Sequence, residues 1–93
     1  LKNKGLIMSD WFVYILRCSD NSLYTGITTD LQRRVDEHNS EKSVTRYTRA
    51  RQPVSLVYKE PAGTRSEASK REAKIKKLPK AKKESMLLSS VSS

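Results

Sequence analysis

A chain of 93 residues forms one domain that buries only roughly 60–65% of its unfolded surface, so its core is thin: one sheet covered by a few helices. With 35% apolar and 31% charged residues it sits at the polar end of globular composition, and no run nears the ~20 apolar residues that cross a bilayer. Nineteen Lys and Arg against ten Asp and Glu leave a charge of +9, which suits a polyanionic partner, nucleic acid the commonest, and equally solubility or an anionic membrane surface.

Residues 1–10 lack the apolar segment of a signal peptide and read as a disordered leader or extension, with Met8 a candidate start. The expected compartment is the cytoplasm. The domain is expected over residues 11–88. Residues 11–18, rich in β-branched and aromatic side chains, predict a first strand that ends at the turn cluster Ser19-Asp20-Asn21-Ser22. Cys18 is the lone cysteine; it permits no internal disulfide and reads as a buried thiol. Residues 23–28 give a second strand antiparallel to the first, with Gly26 inside it, where a bulge or a close approach is expected.

Thr29 and Gln32 have capping-box spacing and open a helix to about residue 39. At a helical period Leu31, Arg34, Val35 and His38 fall within an arc of about 100°, while Arg33 and Glu37 point elsewhere. Residues 40–52 are polar, basic and aperiodic, and predict a loop holding one short turn. A third strand is expected over 53–58, opened by Pro53, with Pro61-Ala62-Gly63 breaking the chain. Thr64 and Glu67 form a second capping box for a helix over about 65–78, whose inner stripe carries Ala68, Glu72, Ile75 and Leu78. Pro79 ends that helix or begins the next, a short one over 80–88, and residues 89–93 read as a disordered tail. The fold class is α+β: a small three-stranded antiparallel sheet flanked by helices, in the order β-β-α-β-α-α.

Some polar residues lie where apolar ones belong. Arg34 and His38 share a face with Leu31 and Val35, and Glu72 sits on a packing stripe, where a charge is costly unless paired or coordinated. An ion pair between Arg34 and Glu72, a core histidine, and strand tyrosines at 14 and 24 would account for these residues without any chemistry. The segment between Arg65 and Lys83 holds nine basic residues and two acidic ones, so the charge is focused.

Taken together these residues resemble the GIY-YIG nuclease family. Val13-Tyr14-Ile15 and Tyr24-Thr25-Gly26 stand where that family has its two name-giving triplets, although the leading glycine is missing and Thr25 replaces the central isoleucine. Asp30-Leu31-x-x-Arg34-x-x-x-His38 and Ala68-x-x-x-Glu72-x-x-Ile75-Lys76 continue the pattern over roughly residues 11–78. The chain closely resembles the small stand-alone bacterial members, the YhbQ-like group. The resemblance implies phosphodiester hydrolysis with one divalent metal, usually Mg2+ and possible with Mn2+. It makes Glu72 the metal ligand and has Arg34 stabilise the pentavalent phosphate. Tyr14 would orient or deprotonate water, with Tyr24 and His38 as hydrogen-bond or proton-transfer partners.

Arg46, Arg49 and Arg51 around Tyr47, and Lys70, Lys74 and Lys77 off the inner stripe, are the candidate nucleic-acid contacts. The leading expectation is a metal-dependent endonuclease acting on DNA with little sequence specificity, a monomer with no membrane partner. A non-catalytic nucleic-acid-binding module of the same fold is the alternative. An adaptor for acidic protein or membrane is a third reading.

Overall fold

In a computed structural model of the protein, residues 10–43 and 45–92 are described. The leader reading therefore lies, but for Asp10, outside the described residues, as do Val44 and Ser93. Three strands, β1 (Trp11–Arg17), β2 (Leu23–Thr28) and β3 (Ser55–Gly63), form one antiparallel sheet in the order β2-β1-β3. Four helices accompany it: α1 (Leu31–His38), α2 (Arg46–Arg49), α3 (Arg65–Lys76) and α4 (Lys80–Ser92). Among the described residues no helix is long and apolar enough to cross a membrane.

The central strand explains the two-faced core. Val13, Tyr14, Ile15 and Leu16 are all buried, a continuous apolar run of the kind found in strands covered on both sides. Val13 and Ile15 face α3 and α4, where they pack with Ala68, Ile75 and Leu87. Tyr14 and Leu16 face the other way, towards Leu31 and Val35 of α1, with Tyr24, Cys18 and Val54 beside them. Each fully buried Val, Ile or Leu among these contributes about 1.5–3 kcal/mol. The expectation of helices flanking the sheet is met, with α1 on one face and α3 and α4 on the other. Cys18 is the buried thiol expected of it, and burial pushes its pKa up.

Several boundaries differ from the sequence reading, each for a local reason. The N-cap of α1 is Asp30, whose carboxylate accepts from the Arg33 amide at 3.1 Å; the expected Thr29–Gln32 box is not made, and Gln32 donates to Asp36 instead. Asp30 outdoes Thr29 because its charge also complements the positive end of the helix. β3 runs through Pro61 to Gly63 rather than breaking there. It is an edge strand, with register shifts opposite Trp11/Phe12 and Ile15/Leu16, so a residue without an amide hydrogen is tolerated.

Gly63 ends β3 at φ 75°, in the left-handed region, and delivers the chain to Thr64. There the Thr64–Glu67 capping box forms as expected. Pro79 precedes α4 and its carbonyl accepts from the Lys82 and Lys83 amides. The helix then continues to Ser92, through the stretch expected as a tail. A two-pronged ion pair, Arg17 to Glu84 with both contacts at 2.7 Å, ties α4 to β1.

The described residues of the 40–52 segment hold the one short turn expected there, and side chains clamp it at both ends. Asn39 grips both backbone groups of Val54, donating to its carbonyl at 2.9 Å and accepting from its amide at 2.7 Å. Gln52 donates to the carbonyls of His38 and Ser40. Between these clamps α2 forms, capped by Thr45, and places Thr48 in the interior.

Candidate active site

The site is built over Gly26. Tyr14 and Gly26 are directly opposed across β1 and β2, so the Tyr14 ring crosses the edge strand where no side chain stands. A Cβ added at Gly26 would collide with the phenol oxygen and lie 2.6 Å from Cζ. The glycine is needed for space. Of the bulge or close approach expected there, it is a close approach, and the group that approaches is the Tyr14 ring.

Below the phenol, α1 presents Arg34 and His38 on one face, as their spacing predicts. Tyr14 Oη is 2.9 Å from His38 Nε2, and Arg34 Nε donates to the same oxygen at 3.3 Å. His38 Nδ1 lies 2.8 Å from Thr48 Oγ1, and that hydroxyl meets Thr45 Oγ1 at 2.6 Å and Ser43 Oγ at 2.9 Å. Tyr14, His38 and Thr48 are all within 1% of full burial. The direction of the chain follows from its donors. Arg34 can only donate, so the neutral phenol's hydrogen points at Nε2, the imidazole hydrogen sits on Nδ1, and Thr48 accepts it.

Burial sets the charge states. It pushes the Tyr14 pKa up to about 12, with the hydrogen bond from Arg34 and its positive charge opposing and the nearby Glu72 carboxylate adding to the rise. It pulls His38 down to about 4, reinforced by Arg34 and opposed by Glu37. Near neutrality both groups are therefore uncharged, a phenol donating to an imidazole that holds a free acceptor site for it.

Tyr24 extends the cluster sideways. Its ring packs edge-on to His38 at 5.1 Å between centroids and lies 5.8 Å from Tyr47 of α2, and the Arg51 guanidinium sits 3.9 Å over the Tyr47 ring. Arg51 also donates to Asp20 and to the Tyr47 carbonyl, so it is committed to holding this loop, whereas Arg46 and Arg49 are exposed. Lys70, Lys74 and Lys77 are exposed on or at the end of α3.

Glu72 comes from α3, on the opposite side of the sheet from α1, and influences Tyr14 through its charge alone. Its carboxylate pairs with Lys76 at 3.4 Å, and Arg34 pairs with Glu37 at 3.2 Å, so no Arg34–Glu72 ion pair joins the helices. Among the described residues no group of three or more His, Cys, Asp or Glu side chains could cage a metal. A single carboxylate suits Mg2+, which keeps several waters and shares its shell with substrate phosphates. The donor set fits a metal held jointly by Glu72 and substrate, and does not fit an all-protein metal site.

Thr48, Ser43, Thr45 and Glu37 belong to the site and carry no periodic signal. Glu37 lies off the arc that Arg34 shares with Leu31, Val35 and His38, but three residues on from Arg34 it is a helical neighbour and its side chain meets that guanidinium. The polar run 43–48 has the hydroxyl density of a hydrogen-bond network, and that composition is the only signal the sequence carries for it.

The profile of the family described as the GIY-YIG catalytic domain matches residues 10–85. The chain belongs to the GIY-YIG family. It is 55% identical over 80 residues to a UPF0213 protein of Desulfotalea psychrophila, covering 86% of this chain and 73% of that one. A UPF0213 protein of Syntrophus aciditrophicus is 50% identical over 76 residues, covering 82% and 87%. The solution NMR structure of a UPF0213 protein from Bacillus halodurans is 43% identical, with a TM-score of 0.53 over 83% of this chain and 81% of that one. The α+β fold and the GIY-YIG assignment, read from the two tyrosine triplets together with the Arg34–His38 and Ala68–Lys76 patterns, are thereby upheld.

Proposed function

We propose that this GIY-YIG domain is a metal-dependent phosphodiester hydrolase, an endonuclease acting on DNA with little sequence specificity. One observation carries the reading: a buried phenol–imidazole–hydroxyl chain, Tyr14–His38–Thr48, ends at a guanidinium, Arg34, that also lines an open basic cleft. A buried ion pair or a packed histidine needs no such chain.

In this reading Arg34 takes the scissile phosphate with its fork of donors and stabilises the charge that develops on it. Its hydrogen bond to Tyr14 is long at 3.3 Å, and moving towards the phosphate releases Tyr14 Oη to an attacking water. With a pKa near 12 the phenol is not a resident phenolate. It works as a shuttle, accepting the water proton as its own passes to His38 Nε2. Thr48 holds the imidazole in the tautomer that can accept. Glu72 would bind Mg2+, or Mn2+ in its place, which supplies positive charge to the phosphate and the leaving oxygen. Exposed Arg46, Arg49, Lys70, Lys74 and Lys77 give the wider electrostatic footprint.

Incubation with nicked, branched and single-stranded DNA in magnesium should cleave at least one substrate, and Glu72→Ala or Arg34→Ala should abolish that cleavage with the circular dichroism unchanged. Variants that cut as well as the parent would remove the assignment. Tight, salt-dependent, magnesium-indifferent binding with no cleavage would leave a nucleic-acid-binding module of the same fold.

A further inference from the structure

Beside the phenol cluster lies a cleft of about 270 Å³ lined by Trp11, Ile27, Thr28, Thr29, Arg33, Arg34 and Arg65. It collects three guanidiniums and the chain's single indole, and none of its lining residues is acidic. Arg34 is bound to Tyr14 and Glu37, but the other two cations are only lightly engaged. Arg33 has a side chain 63% exposed and a loose 3.8 Å contact with Glu37, which also serves Arg34. Arg65 is exposed at the first turn of α3, its guanidinium 5.8 Å from the centre of the Trp11 ring. That is near the outer limit of a cation–π contact, about 6 Å.

The volume falls below the roughly 300–1,000 Å³ that buries a whole drug-sized ligand. A space of this size suits a small anion or one unit of a longer chain, and its continuity with the phenol cluster through Arg34 favours the latter. Guanidinium forks match phosphate oxygens, and an indole at a cleft wall offers a face on which a nucleobase stacks irrespective of its identity. Arg34 is common to the cleft and the phenol cluster, so a strand in the cleft brings its next phosphate to Tyr14.

We infer that this cleft binds the nucleotide next to the scissile phosphate, with its base on Trp11 and its phosphate between Arg33 and Arg65. A base can reach Trp11 only when one face is unstacked. The substrate is thus nucleic acid with an unpaired or interrupted strand at the cleavage point, a conclusion that rests on the hydrolase reading, whereas the binding itself does not.

The test uses the intact chain without divalent metal. Unlabelled single-stranded DNA is titrated while Trp11 emission is followed, and affinity is taken from the anisotropy of a labelled copy. Quenching of Trp11 in step with binding is expected, and an uninterrupted duplex should bind without that quench. Arg33→Ala/Arg65→Ala, both exposed positions, should weaken binding and flatten the slope of log affinity against log salt by roughly 1.4, about 0.7 for each lost contact. Emission unchanged at saturation, equal quenching by the duplex, or parental affinity and slope in the double variant overturns the inference. Quenching by a chain that cleaves nothing supports the cleft and defeats the hydrolase reading; cleavage without quenching does the reverse.

Discussion

His38 is the chain's single histidine and is fully buried between two neutral partners, which makes it an isolated reporter of the site. Burial, then the Arg34 charge, lowers its pKa to about 4, whereas the unfolded chain protonates it near about 6.5. Because the folded value is the lower one, the unfolded state binds more protons between these limits. Stability is thus full above about pH 6.5 and is lost as pH falls towards about 4. The whole gap corresponds to roughly 3 kcal/mol, of which roughly 2 kcal/mol is lost by pH 5.

Urea titrations at pH 8 and pH 5 measure it. With a denaturant slope of roughly 1–3 kcal/mol/M, the parent's midpoint should fall about 1 M further than that of His38→Gln. Carboxylates held low by their partners, such as Glu60 and Glu84, are common to both proteins and cancel. Equal pH dependence in the two, or a His38 ring signal titrating near pH 6.5 by NMR, would refute the buried, neutral imidazole.

Three further outcomes follow from single side chains. Gly26→Ala pushes a Cβ into the pinned Tyr14 ring and should cost about 1–3 kcal/mol in chemical denaturation, with loss of any cleavage. Thr25 Oγ1 is buried without a hydrogen-bond partner among the described residues, so Thr25→Val should raise stability by about 1 kcal/mol and the melting temperature by roughly 4–8 °C. Thr48→Val strands the imidazole Nδ1–H and should destabilise by about 1–3 kcal/mol, while Thr48→Ser, which keeps the acceptor, should restore both stability and the His38 NMR signature.

Much of this was legible in the chain because it is carried by local period and turn chemistry. The 3.6-residue phase placed Arg34 with His38 and Ala68 with Ile75, and the Thr64–Glu67 box formed where its spacing put it. What escaped depends on contacts distant in sequence. The role of Gly26 follows from the cross-strand register that sets Tyr14 opposite it, which no local pattern encodes. Thr48 enters the core only because Asn39 and Gln52 clamp a segment that looks like loop. β3 outlasted Pro61 because it is an edge strand, a property of topology and not of propensity. The candidate chemistry was visible as residue types at the right spacing, but the direction of the Tyr14–His38–Thr48 hydrogen-bond chain needed the donor and acceptor geometry.

The claim on which the proposed function turns is that the Tyr14 hydroxyl moves the proton. Phe in its place keeps the ring over Gly26 and removes only that oxygen. Single-turnover cleavage of a nicked or single-stranded DNA in magnesium should slow by about 10²–10⁴-fold in Tyr14→Phe relative to the parent, with the fold and DNA affinity retained. Cleavage by Tyr14→Phe at the parental rate would contradict the account.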